Sequence, residues 1–327
     1  MTGDAPAARA TGFGKALTRL AKEAAGAPDG RLHVATCHLP GPADLLQLWD
    51  VDPHGQFAAF WEDDREALVG LGQAARASVP ESGSGAATPR WFGSVPFAPG
   101  WTDEDWAPLT EGGFILPRWT LRRAAGADRS DGVEVTLAVR GPLQSYDLRK
   151  IGAEFEEIAD RVVRPTVAGE PSSPTSGAPP DAPFARAVWT QAVEAALSEI
   201  EVGRLEKVVL ARRVAEPLPS GVRAVDVLRR LCAEGSGRFR FGLREHGRAF
   251  VGATPECLFR KRGSLLAVEA LAGTYDLGRL DDDEGPGDGL VRAAEHLFAS
   301  GKDLGEHALV VQGVVDSLGP LAASVAP

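Results

Sequence analysis

Short apolar stretches bounded by turn-forming residues dominate the first half of the chain. Stretches of this length that are rich in β-branched and aromatic residues are typical of strands. The strands predicted in this half are HVATCHL, DLLQLWDV, QFAAFWE, RWFGSVPF, GGFILPRWTLRR and VEVTLAVRG. Helices are predicted near residues 64–77 and 148–163, and an amphipathic helix is also predicted near the N-terminus.

The second half combines further strands with helices. Apolar residues recur at helical spacing from Trp189 to Ile200, and Gly203 ends this pattern. Strands are then predicted at KVVLA, RFRFGLR, RAFVGAT, ECLFRKR and SLLAVEALAG. Further helices are predicted near 225–233 and 289–300 and from Asp303 onward, the last with a buried apolar stripe. Consecutive strands joined by short turns, with helices set apart, predict an α+β fold with mainly antiparallel sheets.

A stretch rich in proline, serine and glycine, residues 165–183, interrupts these patterns and is predicted to be an exposed loop or linker. With 327 residues, the chain exceeds the usual size of a single core, so one elaborated domain or two smaller ones are both open. We therefore divide the sequence into an N-terminal α+β part (residues 1–164), the loop (165–183) and a second region (184–327).

Composition excludes several classes of protein. The formal net charge of −10 and the lack of a dense Lys/Arg stripe argue against nucleic-acid binding. Three cysteines without metal-ligand spacing fit a reducing compartment. The sequence shows neither a signal peptide nor an apolar stretch long enough to span a bilayer, which predicts a cytoplasmic protein that does not associate with membranes.

Two charged residues stand inside predicted strands. Lys207 begins the run KVVLA, and Glu269 lies within SLLAVEALAG. Burial raises the pKa of a carboxyl group and lowers that of an ammonium, so such a pair could supply an acid and a base in one site. The alternatives are structural: Lys207 could end its strand and extend to water, or the two residues could form a buried ion pair. The pattern alone leaves these interpretations open.

Four motifs, EKVVLARR, FVGATPECLFRKR, AVEALAGT and SGKDLGEHALVVQGVV, resemble in order and spacing the chorismate-utilising enzymes, and among them the isochorismate synthases of menaquinone or siderophore pathways. The resemblance is strong from about Phe184 to Leu318 and weaker before the loop, where it rests on RWFGSVPF and GGFILPRW. It implies layered, mainly antiparallel sheets with flanking helices around a deep central site. It also implies chorismate as the substrate.

The resemblance further implies roles for individual residues. Lys207 matches the general base that activates water to attack C2 of chorismate, and Glu269 matches the acid that protonates the departing C4 hydroxyl. Ala272, Gly273 and Thr274 match the turn that lies close to the substrate. Glu306 matches a carboxylate ligand of Mg²⁺, an ion that prefers oxygen ligands. A capping box of Asp303 with Glu306 at a helix start is the alternative explanation of this carboxylate.

Ala272 bears on the choice of reaction within the family. The resembling aminodeoxychorismate synthases carry a nucleophilic lysine at this position, and alanine cannot take that role. Ala270 and Leu271 stand where anthranilate and aminodeoxychorismate synthases usually have a Pro-Ile pair. Water is therefore the expected nucleophile and isochorismate the expected product, with salicylate, anthranilate and aminodeoxychorismate synthases as the alternatives.

The resemblance also implies a missing part. Family members continue well beyond LGPLAASVAP, and that part supplies a second magnesium carboxylate, cations for the substrate carboxylates and strands that complete the sheet. A C-terminally truncated fragment and a protein completed by a second chain are both expected alternatives. A third, of a different class, is a non-catalytic remnant or assembly subunit.

Overall fold

The computed structural model describes residues 12–25, 30–50, 57–81, 88–97, 113–126, 131–164, 183–234, 238–276 and 286–326. These residues form two units. Unit 1 contains the described residues up to 164 together with 220–255, and unit 2 contains 183–219 and those from 256 onward. The loop predicted at 165–183 lies, except for Pro183, outside the described residues.

The helices are α1 (Phe13–Ala25), α2 (Leu45–Asp50), α3 (Ser145–Val163), α4 (Pro183–Glu201), α5 (Ala224–Ala233), α6 (Pro286–Ala299) and α7 (Gly301–Leu318). The strands are β1 (Leu32–Leu39), β2 (Phe57–Glu62), β3 (Glu66–Leu71), β4 (Ala75–Ala77), β5 (Phe92–Ser94), β6 (Gly113–Leu116), β7 (Trp119–Ala124), β8 (Val133–Arg140), β9 (Phe239–Glu245), β10 (Arg248–Thr254), β11 (Arg260–Arg262) and β12 (Leu265–Ala267). None of the described helices is both long enough and apolar enough to cross a membrane.

A seven-stranded sheet in the order β1-β8-β7-β3-β2-β9-β10 forms the centre of unit 1, and its neighbouring strands are antiparallel. Helices α1, α2, α3 and α5 contribute to the main core on one face, while the small sheet β4-β6-β5 contributes to two smaller clusters on the other. Along β2, Ala58 and Phe60 belong to the first face and Phe57 and Ala59 to the second. The prediction of an α+β fold with layered, mainly antiparallel sheets and flanking helices is confirmed.

Leu45–Asp50 of the stretch DLLQLWDV form a helix, so the strand prediction there was wrong. The carboxylate of Asp44 accepts hydrogen bonds from the backbone N–H groups of Leu46 (3.0 Å) and Gln47 (3.3 Å), which caps the start of α2. Leu45, Leu48 and Trp49 are buried at helical spacing against the sheet. A short helix with an aspartate cap therefore satisfies a hydrophobic pattern that also suits a strand.

The helix predicted at 64–77 was also wrong, because this stretch forms β3 and β4. Asp63 accepts hydrogen bonds from the N–H groups of Arg65 and Glu66, both at 2.9 Å, and so begins a tight turn after β2. β3 then pairs with β2 on one side and β7 on the other. Residues 67–71 are all buried, so central pairing in the sheet overrides the helical preference of the sequence.

The remaining predictions for unit 1 agree with the structure in type. The stretches HVATCHL, QFAAFWE and VEVTLAVRG form β1, β2 and β8, and RFRFGLR with RAFVGAT forms the hairpin β9–β10. Pro117 separates β6 from β7, which the sequence suggested as one stretch. Helix α3 begins at Ser145, three residues before its predicted start, because Asp147 accepts a hydrogen bond from the N–H of Gln144 at 2.8 Å.

Unit 2 contains three helices, α4, α6 and α7, and the two-stranded ladder β11–β12. Helix α4 ends as predicted near Gly203, whose φ of +71° favours glycine. The ladder covers only parts of the predicted strands ECLFRKR and SLLAVEALAG. Helices α6 and α7 follow each other directly and pack together at their junction.

Candidate functional site

Unit 2 holds each residue that the sequence singles out for chemistry: Lys207, Glu269, Ala272, Gly273, Thr274 and Glu306. The strand predicted at 207–211 is not formed, since no described strand pairs with it. Val209 in the middle of the run is 79% exposed, so this stretch is not part of a core. The prediction of a core strand around Lys207 was therefore wrong for the described part of the chain.

Lys207 forms an ion pair with Glu306. Its Nζ lies 3.1 Å from Oε1 of Glu306, and the two side chains are 27% and 34% exposed. The structure thus brings together the predicted base and the predicted metal ligand, whereas the sequence suggested Lys207 with Glu269. An ion pair this accessible to solvent contributes little to the stability of the fold. Stability alone therefore does not explain why Lys207 lies beside Glu306.

Glu269 is half-buried and lies beyond the end of β12, outside any strand. Its Oε2 accepts a hydrogen bond from the backbone N–H of Cys257 at 3.2 Å. This contact fixes one carboxylate oxygen against the segment TPEC, one of the quoted motifs.

The turn after Glu269 packs against the junction of α6 and α7. Gly273 has a φ of +88°, a conformation that favours glycine. A Cβ added there would lie 3.3 Å from Cβ of Asp303 and 3.5 Å from Cδ2 of Leu297, so the backbone approaches both helices closely. Ala272 is half-buried and Thr274 is exposed.

The start of α7 differs from the sequence-based expectation. Ser300 is the N-cap, and its Oγ accepts a hydrogen bond from the N–H of Asp303 at 3.2 Å. The capping box predicted for Asp303 with Glu306 was wrong, because Glu306 lies one turn further along the helix. Capping therefore does not explain the carboxylate at this position. Glu306 instead forms an ion pair with Lys207.

The described residues do not by themselves form a magnesium site. No group of three or more His, Cys, Asp or Glu side chains in the described ranges is placed to hold a metal ion. Glu306 offers one carboxylate, and that carboxylate is paired with Lys207. Mg²⁺ gives up its waters reluctantly and needs well-placed oxygen ligands, so this donor set does not fit the ion without further ligands.

Three features near these residues were missed by the sequence reasoning. They are the Cys257 N–H that holds Glu269, the Ser300 cap, and the ring of His296, which packs against Tyr275 with centroids 4.8 Å apart. The cap had a signal, since Ser300 stands three residues before Asp303 and directly before a helical pattern. The other two contacts join separate segments of the chain and have no local signal.

The profile of the family described as "Chorismate binding enzyme" matches residues 71–326. The chain belongs to this family.

Within the family, the chain is similar to isochorismate synthases. It is 30% identical over 213 residues to isochorismate synthase MenF of Pasteurella multocida, which covers 65% of this chain and 46% of that protein. It is 29% identical over 302 residues to the salicylate biosynthesis isochorismate synthase of Pseudomonas aeruginosa, covering 86% of this chain and 60% of that protein. The structure resembles that of MenF, the menaquinone-specific isochorismate synthase from Escherichia coli, with a TM-score of 0.64 and 22% identity over 94% of this chain and 69% of the other. The chain thus spans between about half and two thirds of the length of these relatives.

Proposed function

We propose that this chain carries the acid–base residues of an isochorismate synthase, which converts chorismate to isochorismate with water as the nucleophile. The observation that carries the proposal is the ion pair of Lys207 with Glu306 in unit 2, one helical turn beyond Asp303, which the Gly273 turn approaches. Three separate motifs of the sequence contribute to this arrangement. The names of the relatives from Pasteurella multocida and Pseudomonas aeruginosa support the same reaction.

The proposed reaction balances as an exchange of hydroxyl groups. A water molecule bonds to C2 of the substrate, and its proton passes to the amine of Lys207. The C4–O bond breaks, the ring double bonds shift, and the proton of Glu269 joins the departing hydroxyl, which leaves as water. Ala272, Gly273 and Thr274 present backbone and hydroxyl groups beside the substrate. General acid–base catalysis of this kind contributes roughly 10²–10⁴-fold to a rate.

Magnesium is part of the proposal, with Glu306 as one ligand. When bound, the ion would neutralise a carboxylate of the substrate. Because the described residues lack the other donors, the remaining ligands have to come from substrate, water or polypeptide outside the described residues. Glu306 also has to exchange its contact with Lys207 for the ion.

We expect chorismate to give isochorismate without added ammonia once the site is complete. The reason is Ala272, which has no nucleophilic group, together with Glu269 as a proton donor. Chromatography of the products from the completed enzyme, with and without ammonium salt, checks this expectation. Anthranilate or aminodeoxychorismate formed only with ammonia would contradict the assignment, and release of pyruvate with salicylate would instead indicate a salicylate synthase.

The chain alone, with saturating Mg²⁺ and chorismate, is expected to be inactive. Among the described residues, Glu306 is the one carboxylate matched to a magnesium ligand, and the Lys207 segment is not held in a sheet. The family resemblance matches no cations in this sequence to the two substrate carboxylates. Without these contacts the substrate is not oriented, and orientation supplies much of the rate enhancement. The measurement is isochorismate formation by the purified chain, with an active isochorismate synthase as the positive control. Clear turnover would show that residues 1–327 are sufficient.

The second candidate function is a non-catalytic subunit of an assembly. The exposed apolar residues of unit 2, such as Val209, favour it because they indicate a binding surface. The two candidate functions differ in whether Lys207 is needed for turnover in the completed assembly.

For either candidate function we propose the cytoplasm as the location, since the three cysteines are free thiols.

A further inference from the structure

The turn at residues 272–274 continues directly into an aromatic contact with α6. The ring of Tyr275 packs against the ring of His296, with the two centroids 4.8 Å apart and the two planes inclined by 56°. Aromatic rings at this distance prefer tilted or offset arrangements, because the positive edge of one ring then faces the negative face of the other. This contact joins the residue that follows the turn to the last helical turn of α6.

The same end of α6 also approaches the backbone of the turn. A Cβ added to Gly273 would lie 3.5 Å from Cδ2 of Leu297, the residue after His296. Helix α6 therefore meets this segment at two points that are two residues apart, the backbone of Gly273 and the ring of Tyr275. Thr274 lies between the two points, so its backbone has little freedom to turn as long as both are in place.

No ladder holds this segment among the described residues. Residues 268–276 follow β12 and belong to no described helix or strand. Before the turn, Glu269 is tied to the backbone N–H of Cys257, and after the turn Tyr275 packs against His296. A segment outside helices and sheets keeps one conformation only as far as such contacts restrict it, because its local opening costs little free energy. The contact with His296 is thus expected to determine the conformation after the turn.

Burial alternates along the segment. Gly273 and Tyr275 are half-buried, whereas Thr274 and Asp276 are exposed. Neighbouring side chains of a non-helical segment point to roughly opposite sides, so the packing of Tyr275 on α6 directs Thr274 away from that helix. A rotation of the backbone that released the ring of Tyr275 would also redirect the hydroxyl of Thr274. The direction of this hydroxyl therefore depends on the contact between the two rings.

We propose that His296 is a positioning residue for the proposed reaction and that it acts through the ring of Tyr275. In this role His296 does not contact the substrate. It holds Tyr275 against α6, and Tyr275 fixes the direction in which Thr274 presents its hydroxyl to chorismate. The inference rests on the proposed function, because the resemblance assigns residues 272–274 to the substrate. The alternative is a purely structural role, in which the two rings only stabilise the end of α6.

The first measurement is the rate at which elastase cleaves the full chain after Ala272, followed by mass spectrometry without chorismate. Cleavage at low protease concentration reports how often the segment opens. We expect H296A and Y275A each to speed this cleavage by about threefold to tenfold, the range that corresponds to the loss of one aromatic pair. H296F keeps a ring at the same position and should restore the slow rate. E295A changes the neighbouring exposed residue of α6 and should leave the rate unchanged.

The second measurement is steady-state isochorismate formation by the completed enzyme. H296A should raise KM for chorismate by about threefold to tenfold and leave kcat within about twofold, because the turn contacts the substrate before and during the reaction alike. H296F should restore KM, and E295A should not change it. In the Y275A background, H296A should have no further effect on KM, since the two residues act as one unit. A purely structural role would leave the KM of the folded enzyme unchanged in all variants.

The two measurements separate this inference from the proposed function. Equal effects of H296A and E295A on cleavage, or fully additive effects of H296A and Y275A on KM, would overturn the inference. An unchanged KM in H296A, despite faster cleavage after Ala272, would also overturn it and leave the structural role. Absence of isochorismate formation by the unmodified completed enzyme would instead contradict the proposed function, while cleavage of the chain would still measure the contact of Tyr275 with His296.

Discussion

Replacing Lys207 with alanine is expected to lower turnover of the completed enzyme by about 10²–10⁴-fold, the usual cost of losing a general base. In the proposed reaction the neutral amine of Lys207 accepts the proton of the attacking water, and in the structure its Nζ lies 3.1 Å from Oε1 of Glu306. The measurement is steady-state isochorismate formation by the chain assembled with the polypeptide that completes it. We expect the loss in kcat, because the base acts in the chemical step.

Lys207→Arg separates the base from a structural lysine. Arginine keeps the positive charge and can still pair with Glu306, but it stays protonated and cannot accept a proton. It should therefore be nearly as inactive as Lys207→Ala. Lys150→Ala, at an exposed position of α3 in unit 1, is the control and should behave as the unmodified enzyme. Near-normal turnover of Lys207→Arg would show that the lysine serves only its ion pair.

Replacing Glu154 with alanine is expected to destabilise unit 1 by about 3 kcal/mol, because it leaves buried donors without their acceptor. Glu154 lies on α3 and is 5% exposed. Its Oε2 accepts hydrogen bonds from Nε of Arg118 at 2.7 Å and from Nε1 of Trp119 at 2.9 Å. Urea denaturation of the full chain, followed by tryptophan fluorescence, measures the free energy of unfolding.

The control for this experiment is Glu156→Ala. Glu156 lies on the same helix but is exposed, so its replacement should change the free energy of unfolding by no more than about 0.5 kcal/mol. The comparison isolates the buried hydrogen bonds from the change in helix propensity, which is shared by both variants. A similarly small effect of Glu154→Ala would mean that water or other acceptors take over the hydrogen bonds from Arg118 and Trp119.

The fold of unit 1 was largely predictable from the sequence, because its strands are buried either on both faces or at every second residue. β8 shows the alternation directly, with Val133, Val135 and Leu137 buried on one face. The two errors arose where one apolar pattern suits both structures. At α2 the cap formed by the Asp44 side chain favours the helix, and at β3 pairing with strands distant in sequence favours the strand.

The sequence motifs name the candidate site residues, but they do not indicate how these residues are arranged. The motifs identified Lys207, Glu269 and Glu306, and the Gly273 turn has the positive φ that favours glycine. The pairing of Lys207 with Glu306 joins segments far apart in sequence, so no local pattern could indicate it. The strand predicted at 207–211 failed for a different reason, since a strand needs a neighbour and none of the described strands lies beside it.

The order of the strands in the large sheet affects how the chain can fold while it is being synthesised. β2 pairs with β9, so Phe60 lies opposite Gly242, and residues 183–219 of unit 2 are translated between them. A chain emerging from the ribosome therefore presents the apolar edge of β2 for the whole time needed to make that intervening stretch. Slow, non-local pairing of this kind exposes nascent protein to aggregation. Co-translational chaperones are thus expected to bind the nascent chain before the codons of β9 are read.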